Sequence, residues 1–157
     1  MNKHIGIIGL GIMGGAFARN LAAGGWKVIG YDIDAARNAE AKAAGVEIAH
    51  SVEAVAETAS DIITSLPTSR AVLDTAQLIA RANAAKRTVI EASTLSLGDK
   101  TAFKDILKKA GHTALDCPMS GTGAQAAVKD LVVYASGDAR RDQTARADVP
   151  GLRAQGL

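Results

Sequence analysis

The first residues that could do chemistry form a glycine-rich run near the N-terminus, with the spacing G-x-G-x-x-G between an apolar run and a helical pattern. In this setting Gly9 permits a tight turn, Gly11 lets the backbone approach a pyrophosphate, and Gly14 lets the helix pack closely on the strand. The N–H groups at the start of the helix, together with its dipole, would then bind the phosphates. The alternative is a tight turn that binds no ligand. The predicted cofactor contacts are Gly9, Leu10, Gly11, Ile12, Met13 and Gly14.

An acidic residue lies at the end of the second predicted strand. Asp32 follows the glycine-rich run by roughly 20 residues, where a carboxylate accepts hydrogen bonds from the adenosine ribose hydroxyls of a dinucleotide. A carboxylate would repel the 2′-phosphate of NADP, and the next arginine, Arg37, falls in a predicted helix. We therefore predict NAD, rather than NADP, as the cofactor. The alternative role for Asp32, that of a helix cap, is better filled by Asp34.

The elements that position these residues alternate between short apolar runs and helical patterns. Strands are predicted over 4–10, 27–32, 46–50, 61–66, 88–92, 112–116 and 131–135. Helices are predicted over 14–23, 35–44, 52–59, 71–82 and 100–110, with Asp34, Ser51 and either Thr68 or Ser69 as N-caps. Short strands rich in Ile and Val are typical of a parallel sheet buried on both faces. Their alternation with helices predicts an α/β fold, a Rossmann-type, doubly wound, mostly parallel sheet.

The composition excludes several classes of protein. A chain of 157 residues with 48% hydrophobic and 22% charged residues is expected to form one globular domain. A net charge of +2 gives no basic field for nucleic acid, and no apolar run approaches the roughly 20 residues that cross a membrane. The single cysteine, Cys117, fits a cytoplasmic location. Three scattered histidines and one cysteine lack metal-ligand spacing, so no metal site is predicted.

Four segments match motifs of one enzyme family. They are IIGLGIMG at 7–14 with NL at 20–21, SLPT at 65–68, EAST at 91–94 and DCPMSGTG at 116–123. With them, residues 3–137 resemble the β-hydroxyacid dehydrogenases, which include 3-hydroxyisobutyrate dehydrogenase, tartronate semialdehyde reductase and the more distant 6-phosphogluconate dehydrogenase. The resemblance implies an NAD(P)-dependent oxidoreductase domain that acts on a CH–OH group.

The resemblance also implies roles for residues that spacing alone does not assign. Leu66 and Pro67 would line the cofactor beyond the pyrophosphate, and Thr94 would lie near the nicotinamide.

A substrate loop follows from the same resemblance. Ser120, Gly121 and Thr122 would bind the substrate carboxylate through backbone N–H groups and a hydroxyl, as successive small residues in a turn can do. Many members of the family have glycine where Thr122 stands, so the sequence does not identify the hydroxy acid.

No catalytic residue is predicted. In the family, a lysine of an all-helical second domain handles the hydroxyl proton, well beyond the Ser-Gly loop, and Lys129 is too close to that loop to match it. We therefore expect residues 1–137 to form the NAD-binding domain, residues 138–157 to form an irregular tail, and the family's C-terminal all-helical domain to be absent. A frameshift near residue 140 is our hypothesis for the tail. The 157 residues are expected to bind NAD with little or no turnover.

Three functions stay open at this point. The leading hypothesis is the NAD-binding domain of a truncated 3-hydroxyacid dehydrogenase, which transfers hydride between NAD and a small hydroxy-carboxylate substrate. The alternatives are a non-catalytic dinucleotide-binding or sensing module and an imine reductase-like relative, against which the Ser-Gly loop argues. No nucleic acid or membrane partner is expected. Self-association is expected through the apolar face that a second domain would cover.

Overall fold

Strands and helices alternate along the chain, as the sequence predicts. The computed structural model describes residues 4–120, 132–133 and 153–154. Its main strands are β1 (His4–Ile8), β2 (Lys27–Tyr31), β3 (Glu47–Ile48), β4 (Asp61–Thr64), β5 (Thr88–Glu91) and β6 (Thr113–Asp116). Its helices are α1 (Ile12–Ala23), α2 (Ala35–Ala43), α3 (Val52–Thr58), α4 (Ser69–Arg81) and α5 (Leu97–Lys109).

The six main strands form one parallel sheet in the order β3-β2-β1-β4-β5-β6. The chain runs outward from β1 in one direction and from β4 in the other, which confirms the doubly wound Rossmann-type fold. Ile8 at the end of β1 is in register with Tyr31 of β2 and Thr64 of β4. The carboxyl ends of these three strands therefore meet where the strand order reverses, and ligands of open α/β sheets bind at such a point.

Three two-residue strands follow the main sheet. They are β7 (Met119–Ser120), β8 (Val132–Val133) and β9 (Arg153–Ala154), with β8 antiparallel to β7 and parallel to β9. The predicted strand over 131–135 is described at β8 alone. The predicted boundary between residues 137 and 138 lies outside the described residues.

Helices α2 and α3 begin at the predicted residues, but the other three described helices begin earlier than the hydrophobic pattern predicts. α1 begins at Ile12 rather than at residue 14, α4 at Ser69 rather than at residue 71, and α5 at Leu97 rather than at residue 100. The first turn of a helix does not yet reach the core, so it carries little of the apolar period from which a helix is predicted. The caps are better predicted, since the side chains of Asp34, Ser51 and Thr68 each accept a hydrogen bond from a first-turn N–H group.

The core has two halves, one on each face of the sheet. Ile7 packs with Phe17 and Leu21 of α1 on one face, whereas Ile8 packs on the other face with residues such as Ile79 and Leu107. Neighbouring residues of one strand are therefore both buried, as expected for a sheet covered on both sides. None of the helices in the described residues is long and apolar enough to span a membrane.

Leu107→Ala should lower the free energy of unfolding by about 2–5 kcal/mol, because it leaves a cavity in the core. Leu107 is 0% exposed, whereas Leu97 on the same helix is 81% exposed. Leu97→Ala is therefore the matched control and should change the free energy of unfolding by less than about 0.5 kcal/mol. Urea unfolding followed by circular dichroism measures both values. Equal effects of the two substitutions would contradict this packing.

Candidate functional site

A cleft of about 750 Å³ opens at the carboxyl ends of β1, β2 and β4. We call it the switch-point cleft, because it lies where the strand order reverses. Its volume is within the range of small-molecule and cofactor sites. The structure brings seven of the predicted site residues together in its lining, namely Gly9, Gly11, Ile12, Met13, Asp32, Leu66 and Pro67.

The other predicted cofactor residues lie outside this lining. The side chain of Leu10 is buried in the core below α1, and Gly14 lies against the carbonyl of Gly9. Thr94 is exposed beyond the end of β5. Ser120 lies in β7, and Gly121 and Thr122 are outside the described residues.

The three glycines of the glycine-rich run differ in what surrounds them. Gly9 has φ +90°, and a Cβ there would lie 2.1 Å from the carbonyl oxygen of Ser65. A Cβ on Gly14 would lie 1.8 Å from the carbonyl oxygen of Gly9. A Cβ on Gly11, in contrast, would have no heavy atom within 4 Å. Gly9 and Gly14 are therefore required for the turn to close, whereas Gly11 leaves open space on the cleft side.

The N-terminus of α1 has no side-chain cap. Four of the five helices in the described part of the chain are capped by Asp34, Ser51, Thr68 or Ser96, but the N-cap of α1 is Gly11. The first turn of α1 also contains no acidic residue. Gly15 donates to the carbonyl of Gly11 at 2.7 Å, so the N–H groups ahead of Gly15 have no acceptor within the helix. These donors and the positive end of the helix dipole suit a phosphate group.

The carboxylate of Asp32 is fixed at the end of β2. Its Oδ2 accepts from the Leu10 N–H at 2.7 Å, and its Oδ1 accepts from the Asp34 N–H at 2.9 Å. Asn38 holds the backbone of Asp32 on both sides, since its Oδ1 accepts from the Asp32 N–H and its Nδ2 donates to the Asp32 carbonyl. Each carboxylate oxygen can accept a second hydrogen bond. Asp32 thus ties β2 to the glycine-rich run and retains the capacity to accept from two hydroxyl groups.

Carboxylates outnumber basic groups in the lining of the switch-point cleft. Asp32, Asp34, Glu53 and Asp74 contribute to it, and Arg37 is the basic residue among its lining residues. Arg37 is paired with Glu40 at 3.3 Å, and Asp74 is likewise paired with Arg70 at 3.5 Å. A hydrogen bond to its own backbone, aided by the ion pair with Arg81, lowers the pKa of Glu53. Glu53 is therefore ionised near neutral pH. The carboxylate of Asp32 in this lining opposes a phosphate group placed beside it.

Apolar surface faces the cleft beside these charges. Ile33 is 93% exposed although it directly follows Asp32. Leu66 and Pro67 form the opposite wall after β4. A large exposed aliphatic side chain beside a polar anchor provides a surface on which a flat ring can pack.

The wall after β4 is held by residues that the sequence analysis missed. The Leu66 N–H donates to Ser93 Oγ at 2.9 Å, and the Ser93 N–H donates to Glu91 Oε1 at 2.9 Å. Lys100 donates in turn to Glu91, to the Ser93 carbonyl and to Asp116. Glu91 and Ser93 belong to the EAST segment, in which the sequence predicts a role for Thr94 alone. In the described residues no group of three or more His, Cys, Asp and Glu residues could hold a metal ion.

Comparison with known proteins agrees with this geometry. The family model described as the NAD binding domain of 6-phosphogluconate dehydrogenase matches residues 4–147. The mitochondrial 3-hydroxyisobutyrate dehydrogenase of Rattus norvegicus is 33% identical over 153 residues, which cover 94% of this chain and 44% of that protein. The NAD-dependent L-serine dehydrogenase of Pseudomonas aeruginosa is 32% identical over 148 residues, which cover 92% of this chain and 49% of that protein.

A solved structure extends the likeness to the fold. Mycobacterium tuberculosis 3-hydroxyisobutyrate dehydrogenase with L-serine superposes with a TM-score of 0.91 at 27% sequence identity, over 100% of this chain and 55% of that one. This chain thus spans about half the length of the relatives that it matches. The match to the family model, the doubly wound sheet and the glycine-rich run point to one assignment. The chain belongs to the β-hydroxyacid dehydrogenase family and corresponds to the NAD-binding domain described for 6-phosphogluconate dehydrogenase.

Proposed function

We propose that this chain is the NAD-binding part of a 3-hydroxyacid dehydrogenase, with the domain formed by residues 1–137. The observation that carries the proposal is the switch-point cleft, which has the uncapped N-terminus of α1 on one side and the fixed carboxylate of Asp32 on another. NAD, when bound, supplies the hydride acceptor. The residues of this chain bind and orient the two reactants.

The pyrophosphate is proposed to bind at Gly11. The space beside its Cα is open, and the N–H groups of the first turn of α1 lack acceptors within the helix. A phosphate accepts hydrogen bonds from such groups and gains from the helix dipole.

The adenosine ribose is proposed to donate its two hydroxyl hydrogen bonds to Asp32, with the adenine ring against Ile33. The hydrogen bonds from Leu10 and Asp34 already fix the orientation of the carboxylate. The ribose therefore meets an acceptor that needs no reordering, which saves entropy on binding. The negative charge of Asp32 supports a preference for NAD over NADP, because it would repel a 2′-phosphate on that ribose.

The substrate end of the proposal rests on the family resemblance. Ser120, Gly121 and Thr122 would bind a carboxylate, and Thr94 would lie near the nicotinamide. The relatives are named for 3-hydroxyisobutyrate and L-serine, both of which carry a carboxylate and a hydroxyl group on carbon 3. A small 3-hydroxy carboxylate is therefore the proposed substrate class, and these names favour it over an imine.

Oxidation of the hydroxyl group also requires a base for its proton, and none is assigned within these 157 residues. Lys100 lies after the EAST segment, but its ammonium group donates to Glu91, Asp116 and the Ser93 carbonyl. Burial alone would lower the pKa of Lys100, but the hydrogen bonds and charges of Asp116 and Glu91 outweigh it and raise that pKa. A lysine held in its charged form is a poor base. We propose that the base comes from the family's helical domain.

Two further expectations stay predictions. A cytoplasmic location rests on the single buried cysteine, Cys117, and several relatives are named as mitochondrial proteins. Self-association rests on the face that a helical domain would cover.

Gly11→Ala should weaken NAD binding about 10- to 100-fold, because a methyl group would occupy the space proposed for the pyrophosphate. The fold should be retained, since that methyl meets no protein atom within 4 Å. Calorimetric titration with NAD and thermal unfolding measure the two effects separately. Gly98→Ala is the control, because Gly98 lies outside the switch-point cleft and its nearest neighbour is 3.8 Å away. Unchanged NAD affinity in Gly11→Ala would refute the proposed phosphate site.

Asp32→Ala should weaken NAD and NADH binding about 10-fold or more, because two hydrogen bonds to a charged acceptor are lost. Asp32→Asn keeps one acceptor oxygen but removes the charge. The difference in binding affinity between NADH and NADPH should therefore become smaller. Calorimetric titration of the three nucleotides measures both effects. Asp61→Asn is the control, since Asp61 is the first residue of β4 and therefore lies at the end of the strand away from the cleft. If the ratio of NADH to NADPH affinity is the same in Asp32→Asn and the wild type, the charge of Asp32 does not discriminate between the two nucleotides.

The purified 157-residue chain should bind NAD without measurable oxidation of L-serine or 3-hydroxyisobutyrate, because the base is proposed to lie in the helical domain. Fusion to the helical domain of a relative should restore NADH formation, followed by the absorbance of the reduced nicotinamide. Turnover by the chain alone would contradict the assignment of the base to another domain. NAD binding with no turnover in the fusion would favour the non-catalytic module.

A further inference from the structure

A partly buried ion cluster lies between α5 and the ends of β5 and β6. We call it the Lys100 cluster, and it consists of Glu91, Lys100 and Asp116. The Lys100 ammonium donates to a Glu91 carboxylate oxygen, to the Ser93 carbonyl at 2.7 Å and to Asp116 Oδ1 at 2.6 Å. An ammonium has three N–H donors, so these partners use all of them. The side chains of Lys100 and Glu91 are only 9% and 1% exposed, whereas that of Asp116 is 38% exposed.

This cluster is poorly explained as a means of stabilising the fold. Removing two charges from water costs several kcal/mol per ion, and well-packed apolar residues are often at least as stable as a buried ion pair. Lys100 also lies in the first turn of α5, where a positive charge opposes the helix dipole. The cluster therefore calls for a role that apolar packing could not fill, and directional hydrogen bonding is such a role.

The hydrogen bonds of the cluster lead to the wall of the switch-point cleft. Glu91 uses its second oxygen to accept from the Ser93 N–H at 2.9 Å, so Ser93 is held at its N–H by Glu91 and at its carbonyl by Lys100. Ser93 Oγ then accepts from the Leu66 N–H at 2.9 Å. A continuous set of hydrogen bonds thus connects α5 to the chain after β4, where Leu66 and Pro67 line the cleft.

The same cluster reaches the start of the proposed substrate loop. Asp116 ends β6 and precedes Cys117, whose N–H donates to the Glu91 carbonyl at 2.8 Å. The ends of β5 and β6 are therefore fixed to each other through both backbone and side chains. The nicotinamide end of the cofactor and the substrate carboxylate are proposed to meet between these two strand ends.

We propose that Lys100 is a positioning residue, which with Glu91 and Asp116 holds the chain at Ser93 and Leu66 in the geometry that receives the nicotinamide half of NAD. The proposal rests on the proposed function for the location of the nicotinamide. It assigns no proton transfer to Lys100. Its consequence is selective, because the phosphate and ribose contacts proposed at Gly11 and Asp32 do not depend on the Lys100 cluster.

The test compares NAD with ADP-ribose, which lacks the nicotinamide, in calorimetric titrations of the full 157-residue chain. In Lys100→Met the NAD affinity should fall about 10-fold, roughly the net contribution of one hydrogen bond, while the ADP-ribose affinity changes less than about twofold. Lys104→Met is the matched control, because Lys104 is exposed on the next turn of α5. A general loss of structure would lower the affinity for NAD and the affinity for ADP-ribose to the same extent.

Lys100→Met leaves Glu91 without its cation, so circular dichroism and thermal unfolding must accompany the titrations. If that variant does not unfold cooperatively, the double variant Glu91→Gln/Lys100→Met is titrated instead, because glutamine retains an acceptor for the Ser93 N–H. An unchanged ratio of NAD to ADP-ribose affinity in the folded variant would overturn the positioning role. If neither variant folds, the Lys100 cluster serves to stabilise the fold, and the positioning role is overturned as well. A wild-type chain that binds neither ligand would refute the proposed function itself.

Discussion

The site depends on close backbone packing at the end of β1, where Gly9 lies against both the start of α1 and the chain after β4. A side chain on Gly14 would collide with the Gly9 carbonyl, and a side chain on Gly9 would collide with the Ser65 carbonyl. Because both positions lack a Cβ, the helix begins immediately beyond the strand and its N-terminus faces the switch-point cleft. The direction of α1, the exposure of its first N–H groups and the open space at Gly11 follow from this contact. A larger residue at either position would move the helix end away from the strand ends that form the rest of the cleft.

Charge in the cleft is arranged by sheet topology. The positive end of α1 follows β1, and the carboxylate of Asp32 follows β2, which is the parallel neighbour of β1. Parallel strands end at the same edge, so a donor set and an acceptor set come together without any long connection. A dinucleotide has the complementary arrangement, with a phosphate beside a ribose diol. The hydrogen bond from the Leu10 N–H to Asp32 joins the two halves and reduces their independent motion.

The sequence predicted the parts of the fold and site that depend on local spacing. The alternation of strands and helices along the chain, the Asp34 and Ser51 caps, the glycine turn and the acidic residue after β2 can all be recognised within a short window. The prediction is less accurate at the starts of α1, α4 and α5, where the apolar period is weak. It also missed the contacts of Ser93 with Leu66, which is 27 residues away, and of Lys100 with Asp116, 16 residues away. Such pairs depend on which strand ends are neighbours, and a sequence pattern does not contain that information.

The sequence by itself therefore determined the class of fold, the nucleotide-binding chemistry and the family, because these follow from residue types at fixed local intervals. The tertiary structure decided which residues share a wall of the cleft. It showed that Leu10 contributes its N–H rather than its side chain, that Asp32 is held by the loop it faces, and that Lys100 is enclosed by two carboxylates. The physical reason is that strand pairing and burial bring distant residues within hydrogen-bonding distance, and only the folded chain fixes those distances.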